Sequence, residues 1–393
     1  MANNSNPAQT DDLYILSNRI GDNWTPADEN NDKDHKEFKS LVVDALTSEN
    51  LVVLAGLGAS MCVKGAPSMG DLWDAMKEAA GAKVFQDICT KTNYEWSGDR
   101  GNFEFLLSRC VLHSRVNPKN QEFNKFLKQA QSTIVSKCRF VADGQEMPIH
   151  EEFLRKISRR PTTKARTKVF TTNYDLSFET AAGRLGFAVI DGFSHTLPQQ
   201  FDGEFYDVDY VRRPRSGEPP EFIEKVFHLY KLHGSVDWER KSTGELVKNP
   251  NSPEAVIIYP AENKFETSYQ PPFLEVMSCF QTALRTPNTG LIVVGFGFND
   301  AHLVQPILSA LRANAALKIV IVALGLRTVS DANGAGNTSL HKIALLAKGG
   351  DPRITLIDGR FERVVSLIPD LVAATAEDRQ RALLKSILDA AAK

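Results

Sequence analysis

The first residues whose types suggest chemistry are Asn173 and Asp175, in the segment TTNYD that follows the apolar pair Val169-Phe170. An amide and a carboxylate two positions apart point the same way, so together they can hold a polar substrate. A structural role is the alternative, because Asp175 is also a residue type that caps the N-terminus of a following helix. The segment alone leaves both interpretations open.

His233 is the second candidate, because it lies beside Gly234 shortly after the predicted strand Val226–Leu229. A histidine titrates near neutral pH, so one at a strand end can act as a general base. The alternative is a structural histidine, which is the more common role of a single histidine.

Two glycine-rich turns follow continuously apolar runs. The turn GLGAS (56–60) comes after Leu51–Ala55, and GFGFND (295–300) comes after Leu291–Val294. Glycine lets the backbone approach a pyrophosphate, to which the following amides and the serine can donate hydrogen bonds. The first turn departs from the dehydrogenase fingerprint because Met61 replaces the third glycine, and alone it predicts only a tight turn. Two such turns at two strand ends predict one nucleotide lying across a sheet.

The elements that must position these segments alternate between strands and helices. Apolar runs predict strands at residues 51–55, 168–170, 226–229, 256–259, 291–294, 319–324 and 354–357. The alternation predicts an α/β fold with a Rossmann-like, mostly parallel, doubly wound sheet. Ligands bind beyond the carboxyl ends of such strands, where all four segments fall. Residues 80–160 predict an inserted helical subdomain, and residues 191–224 predict a hairpin-bearing insertion.

The two ends of the chain fall outside this pattern. Residues 1–35 are polar and predict an N-terminal arm, whose Leu13, Ile15 and Leu16 are expected to dock on a neighbouring subunit. Residues 36–370 form the predicted nucleotide-binding domain. Residues 371–393 predict an amphipathic helix whose apolar stripe packs either within the subunit or against another one.

Composition excludes several classes of protein. The 393 residues are 42% hydrophobic and 24% charged, which is typical of a globular enzyme. A net charge of −2 argues against a nucleic-acid surface, and the basic cluster Arg212, Arg213 and Arg215 is predicted to be a solvated loop. The five cysteines include no CxxC pair, so no metal site is expected. With no signal peptide and no membrane-spanning run, we expect a cytoplasmic protein without membrane contact.

The segments GLGAS, TTNYD, LHG and GFGFND resemble, in order and separation, the sirtuin-like NAD-binding domain over about residues 40–370. The resemblance implies that the first turn holds the pyrophosphate, at Gly56, Gly58, Ala59 and Ser60. The second segment maps onto Thr171, Asn173 and Asp175. Its asparagine would position water and ribose hydroxyls, and its aspartate would contact the nicotinamide amide. His233 would act as base on the ribose hydroxyls, and the adenosine end would lie against Gly295 and Gly297.

Several residues differ from the family pattern, and these differences bear on which of the family's activities we expect. Sirtuin deacylases carry a zinc module with two CxxC pairs, which this chain lacks. Where the family has Gly-Ile-Pro-Asp-Phe-Arg, residues 65–69 read Gly-Ala-Pro-Ser-Met, so the phenylalanine that shields the reacting ribose is missing. Leu57 also replaces the expected alanine. A protein deacylase is therefore the least favoured of the alternatives.

The pattern is more similar to bacterial sirtuin-like effectors of anti-phage defence, and in particular to the subunit that partners a HerA-type DNA-translocating ATPase. That resemblance implies an NAD+ glycohydrolase that uses NAD+ as substrate and gives nicotinamide and ADP-ribose, without a metal. It also implies a homo-oligomer larger than a dimer, with an ATPase partner and no direct contact with nucleic acid. An NAD or ADP-ribose sensor and a structural subunit remain as alternatives.

Overall fold

The computed structural model describes residues 13–27, 32–213, 219–252, 254–259, 271–331 and 338–371, together with residues 380, 383 and 384. Its strands are β1 (Tyr14–Ser17), β2 (Gly21–Pro26), β3 (Asn50–Ala55), β4 (Lys168–Thr171), β5 (Ala188–Ile190), β6 (Val211–Arg212), β7 (Glu221–Phe222), β8 (Val226–Lys231), β9 (Trp238–Arg240), β10 (Leu246–Lys248), β11 (Thr289–Val294), β12 (Lys318–Ala323) and β13 (Ile354–Asp358). Its helices are α1 (Asp32–Leu46), α2 (Leu57–Ser60), α3 (Met69–Ala80), α4 (Ala82–Lys91), α5 (Phe103–Val116), α6 (Gln121–Cys138), α7 (Pro148–Ser158), α8 (Ser177–Leu185), α9 (Phe273–Arg285), α10 (Ala301–Ala313), α11 (Leu326–Asp331), α12 (Thr338–Lys348) and α13 (Phe361–Leu367), with a 3₁₀ turn at Gly203–Asp207.

One large sheet organises the described part of the chain, with nine strands in the order β2-β1-β13-β12-β11-β3-β4-β8-β5. The strands from β13 to β5 are parallel. Helices α1, α7, α8 and α13 contribute to the core on one face, and α9, α10 and α12 to the core on the other. Because both faces are covered, the central strands are apolar throughout, which is why their runs were recognisable. The predicted α/β, mostly parallel, doubly wound sheet is confirmed.

One predicted strand is wrong. Residues 256–259 pair with the rest of the described chain only through an isolated bridge between Gly234 and Ile257. The Val256 amide donates to the Trp238 carbonyl at 3.0 Å, and the Ile258 amide donates to the His233 carbonyl at 2.8 Å. The segment therefore packs against the loop that carries His233 and does not extend the sheet.

The helical subdomain differs from its predicted range of 80–160. It comprises α3 to α6, begins at Met69, and has its own core around Trp73, Phe85, Phe103 and Phe126. Helix α7 instead packs against α8 and α13 on the sheet, so it belongs to the main layer.

A small hairpin lies in the second predicted insertion, where β6 and β7 pair antiparallel with Val211 opposite Phe222. All four residues of this pair of strands are exposed. Arg212 is therefore solvated as predicted, but it lies in a strand and not in a loop. Arg213, which follows β6, is also exposed, and Arg215 lies outside the described residues.

The prediction that the N-terminal arm does not pack within the chain is wrong for residues 13–27. Strand β1 adds antiparallel to β13, with Ile15 opposite Ile357, and β2 adds to β1. Leu13, Ile15 and Leu16 are at most 3% exposed, so these residues complete the core of this chain. Their physical role is to cover the backbone of β13, which would otherwise be an open edge. Residues 1–12 lie outside the described part.

Little of the predicted C-terminal helix is described. Leu383 and Leu384 are 60% and 52% exposed. The other residues of the predicted apolar stripe, Ile387 and Leu388, lie outside the described residues.

Candidate functional site

A cavity of about 670 Å³ lies at the carboxyl ends of the central strands. Members of all four predicted segments line it, namely Leu57, Gly58, Asn173, Asp175, His233, Gly295 and Gly297. Its size falls within the range of small-molecule sites, about 300–1,000 Å³. The sheet therefore brings together segments that are as far apart in the chain as residues 57 and 297.

Four of the predicted site residues do not line the cavity. Gly56, Ala59, Ser60 and Thr171 are buried next to it and contact the residues that do. Thr171 is an example of such a contact, because its hydroxyl accepts a hydrogen bond from the backbone N–H of Asn173 at 3.1 Å. Their role in the structure is to hold the lining residues in place.

The two glycine turns touch each other. The Gly58 amide donates to the Gly295 carbonyl at 2.9 Å, and a Cβ on Gly58 would lie 2.7 Å from the Gly295 Cα. Gly295 has a φ of +59°, and a Cβ there would lie 2.3 Å from the Ala59 nitrogen. Glycine is thus required because two backbones pack together, a reason that differs from the predicted approach of a phosphate. The Gly56 and Ala59 amides are also bonded within the protein, to the carbonyls of Val294 and Gly56.

Asn173, Ser60 and Asp175 form a buried chain of hydrogen bonds. The Asn173 Nδ2 donates to the Ser60 Oγ at 2.7 Å and to the Gly56 carbonyl at 2.9 Å. The Ser60 Oγ donates to the Asp175 Oδ2 at 2.7 Å, and the Ser177 amide donates to the Asp175 Oδ1 at 2.9 Å. Asp175 therefore has the structural role near the start of α8 and also lines the cavity, so the two interpretations from sequence are compatible. No described residue bonds the amide oxygen of Asn173, which leaves that atom as an acceptor for a ligand.

Lys231 contacts the backbone of this loop, and a role for it at the site was not predicted from the sequence. Its side chain is buried, its Nζ donates to the backbone carbonyls of Asn173 and Asp175, and it pairs with Glu179 at 3.1 Å. Burial raises the pKa of Glu179, and the Lys231 ammonium opposes that shift. A lysine at the end of the fully buried strand β8 is the signal that could have revealed it.

His233 is 3% exposed and contacts a second histidine, His302, with 3.0 Å between their Nε2 atoms. Two imidazole nitrogens at that distance share one proton, so one ring donates and the other accepts. The Asp300 carboxylate completes a group in which one ligand-type atom from each residue lies within 4.8 Å of the others. His302 and Asp300 were not predicted. Their signal is the sequence Asp-Ala-His, which begins at the last residue of the second glycine turn.

Phe140 gives the cavity an aromatic wall near the segment that lacks the family's phenylalanine. Pro67, Ser68 and Met69 of that segment line the cavity together with Phe140. A Cβ on Gly65 would lie 3.5 Å from the Phe140 Cβ, so the two segments are adjacent. Phe140 follows α6, which means that the inserted subdomain supplies this ring.

Cysteine chemistry is not available at the cavity. Cys138 lines it, but burial raises the pKa of its thiol to about 12, with a smaller contribution from the charge of Asp175. A thiol with that pKa stays protonated at neutral pH and is a poor nucleophile. All five cysteines are described, and none belongs to a group of three or more described ligand-type side chains close enough to hold a metal ion.

Comparison with known proteins gives one family match. Residues 167–333 match the SIR2-like domain, a range that includes Asn173, Asp175, His233 and the second glycine turn but not the first. No curated protein matches the chain. In the described residues, no helix combines the length and apolar character that crossing a bilayer requires.

Several solved structures are similar at low identity. A structure described for the mechanism and regulation of Sir2 enzymes has a TM-score of 0.40 and 13% identity, covering 89% of this chain and 98% of its own. Sir2Tm bound to a propionylated peptide has a TM-score of 0.34 and 14% identity, covering 80% and 98%. A complex of a Sir2 homologue with NAD has a TM-score of 0.36 and 15% identity, covering 84% and 91%.

Proposed function

We propose that this chain hydrolyses NAD+ at the bond between nicotinamide and ribose and releases nicotinamide and ADP-ribose. The observation that carries the proposal is the meeting of Asn173, Asp175 and His233 at one cavity lined also by Gly295 and Gly297. All five residues lie within the range that matches the SIR2-like domain. An amide, a carboxylate and a histidine at one cavity are the groups that this reaction needs.

The reaction requires positioning more than covalent catalysis, because the ribose acquires oxocarbenium character as the bond breaks. Nicotinamide leaves with the bonding electron pair, the oxygen of water bonds to the ribose carbon, and one proton is released. We assign the acceptance of that proton to His233. Asn173 holds water and ribose hydroxyls through its amide oxygen. Asp175 accepts from the nicotinamide amide, since a carboxylate has about four acceptor positions and two are used here.

The pyrophosphate is negatively charged, and no Lys or Arg occurs among the described residues that line the main cavity. A second cavity of about 290 Å³ adjoins it, shares Gly58 and Gly295, and is lined by Arg360. Since the Gly56, Gly58 and Ala59 amides of the first glycine turn already donate within the protein, we assign charge neutralisation of the pyrophosphate to Arg360. Its guanidinium is suited to phosphate oxygens because it offers two parallel donors.

Biological context is proposed from the motif resemblance alone. An enzyme that depletes NAD+ harms its own cell unless it is restrained, so we propose an effector of anti-phage defence that a HerA-type ATPase partner controls. We further propose a cytoplasmic homo-oligomer larger than a dimer. Light scattering of the full chain, with and without the ATPase, tests this assembly. A monomer in both samples would contradict it.

Nicotinamide release is the decisive measurement for the chemistry. The full chain is incubated with NAD+, with and without an acyl-lysine peptide, and the products are separated by chromatography. We expect nicotinamide and ADP-ribose in equal amounts and no dependence on the peptide. Release only with the peptide would establish a deacylase, and NAD+ binding without release would establish a sensor.

In the same assay, His233→Ala tests the assignment of His233 as the general base. Loss of a general base lowers a rate by about 100-fold or more. His228→Gln is the matched control, because it alters a buried histidine on β8, the strand that precedes the His233 loop, and this histidine does not line the cavity. Equal activity of the His233 variant and the control would exclude His233 as the base.

A further inference from the structure

The pair of histidines at the cavity has a chemistry that the hydrolysis of NAD+ does not use. His233 and His302 approach through their Nε2 atoms at 3.0 Å, and both side chains are more than nine-tenths buried. Asp300 lies at the N-terminus of the helix that carries His302 and lines the same cavity. Two imidazoles and one carboxylate therefore face a common point, with one candidate ligand atom from each within 4.8 Å of the others.

A cation can replace the shared proton between two imidazole nitrogens. Zn–N bonds of about 2.0–2.1 Å at a tetrahedral angle place two nitrogen ligands about 3.4 Å apart. The observed 3.0 Å needs an opening of only a few tenths of an ångström. The Asp300 carboxylate has further to move, up to about 1.4 Å, which a rotation of a half-buried side chain can supply. Imidazole and carboxylate ligands suit borderline divalent ions such as Zn²⁺.

We infer that His233, His302 and Asp300 form a binding site for a divalent transition-metal ion, with a fourth position open to the cavity. Three protein ligands and one open position are the arrangement known from catalytic zinc sites, in contrast to closed structural sites with four protein ligands. The site is distinct from a cysteine zinc module because none of its ligands is a thiolate.

The ion would inhibit NAD+ hydrolysis, a consequence that rests on the proposed function. A neutral imidazole has one lone pair and one N–H group. An ion bound to His233 takes the lone pair, so the ring can no longer accept the proton that water releases. Metal occupancy and general-base action are therefore mutually exclusive at His233, and free Zn²⁺ would lower the rate of NAD+ hydrolysis.

Co²⁺ and Zn²⁺ test the site without relying on activity. The full chain is titrated with Co²⁺ while its visible d–d absorption is recorded, and with Zn²⁺ by calorimetry. We expect one site per chain with the spectrum of nitrogen and oxygen ligands and no thiolate charge-transfer band. His302→Ala should weaken Zn²⁺ binding by more than the roughly 10–100-fold typical of losing an outer-shell partner. Asp300→Asn should weaken it to a smaller extent, and His228→Gln should bind as the unaltered chain does.

Activity is then measured with the same samples. We expect Zn²⁺ to inhibit nicotinamide release over the range of concentration in which it binds, and a chelator to restore it. Absence of binding in an active enzyme, binding unaffected by His302→Ala, or a thiolate band would each overturn the metal site. Bound Zn²⁺ without loss of activity would overturn the inhibitory role. Binding that depends on His302 in a chain with no NAD+ hydrolysis would support the site and reject the proposed function.

Discussion

Replacing Asn173 by alanine separates the structural and chemical roles of the polar chain at the cavity. The amide of Asn173 donates two hydrogen bonds, at 2.7 Å to Ser60 and 2.9 Å to the Gly56 carbonyl, and its side chain is 8% exposed. Loss of buried hydrogen bonds that leaves partners unsatisfied costs about 1–3 kcal/mol. Asn173→Ala should therefore lower the free energy of unfolding by about 1–3 kcal/mol, in addition to any effect on catalysis.

Ser60→Ala is the matched control. It breaks the same chain, because the Ser60 hydroxyl accepts from Asn173 and donates to Asp175 at 2.7 Å. Ser60 is 1% exposed and does not line the cavity, so its loss should destabilise the fold by a similar amount, about 1–3 kcal/mol. If Asn173 positions water and ribose, only its replacement should reduce the turnover number by about 100-fold or more. Ser60→Ala should keep most of the activity.

The assay pairs urea unfolding with nicotinamide release on the same preparations. The expected result is two variants of similar stability whose turnover numbers differ by more than tenfold. Equal turnover of the two variants would refute the assignment of Asn173 and indicate that the chain of hydrogen bonds only maintains the loop. A large rise in KM for Ser60→Ala would instead place this serine on the pyrophosphate, contrary to its position outside the cavity lining.

Four further predictions follow from other parts of the structure. Arg360→Gln should raise the KM for NAD+ by about tenfold with little change in turnover number, because it removes a charge that binds substrate and transition state alike. Gly58→Ala should destabilise the chain in thermal unfolding, since its Cβ would lie 2.7 Å from backbone, whereas Gly297→Ala would meet only a side-chain atom at 3.3 Å and should be tolerated. Burial lowers the pKa of His150 to about 4, below its ordinary value of about 6.5, so the unfolded chain binds more protons between these pH values. His150 should thus contribute a loss of about 3 kcal/mol of stability as the pH drops from 6.5 to 4, and His150→Leu should show a smaller loss than the unaltered chain in urea unfolding at the two pH values. Removal of residues 1–27 should destabilise the chain in the same assay because it uncovers the edge of β13, and unchanged stability would contradict the role of β1 in the core.

The sequence by itself determined the elements that can be recognised from a pattern within one continuous segment. Strands β3 and β11 are covered on both faces, so each is a continuous apolar run that needs no partner to be recognised. The four polar or glycine segments follow such runs, and the rule that parallel strands end at one edge predicts that they meet. Asn173, Asp175 and His233 were accessible to sequence reasoning for that reason. Their roles in catalysis stay predictions.

Only the tertiary structure decided the features that depend on pairing between distant segments. Strand β2 contains only half-buried and exposed residues, and β1 has only four residues, so neither carries the signal of a covered strand. Strand β13, more than 300 residues away, supplies hydrogen bonds to β1, and β1 in turn pairs with β2. Residues 256–259 show the opposite case, an apolar run whose backbone donors are used by a loop.

The contacts between the site residues and their neighbours also depend on the tertiary structure. Lys231 is recognisable as important only when its ammonium is seen beneath the backbone of Asn173, and His302 only when its ring is seen 3.0 Å from His233. Phe140 reaches the cavity from the inserted subdomain. A residue type and its spacing indicate which element it belongs to, but the contact between two side chains depends on how the sheet and its helices pack. That packing is a sum of many long-range interactions, and no single segment of the sequence contains it.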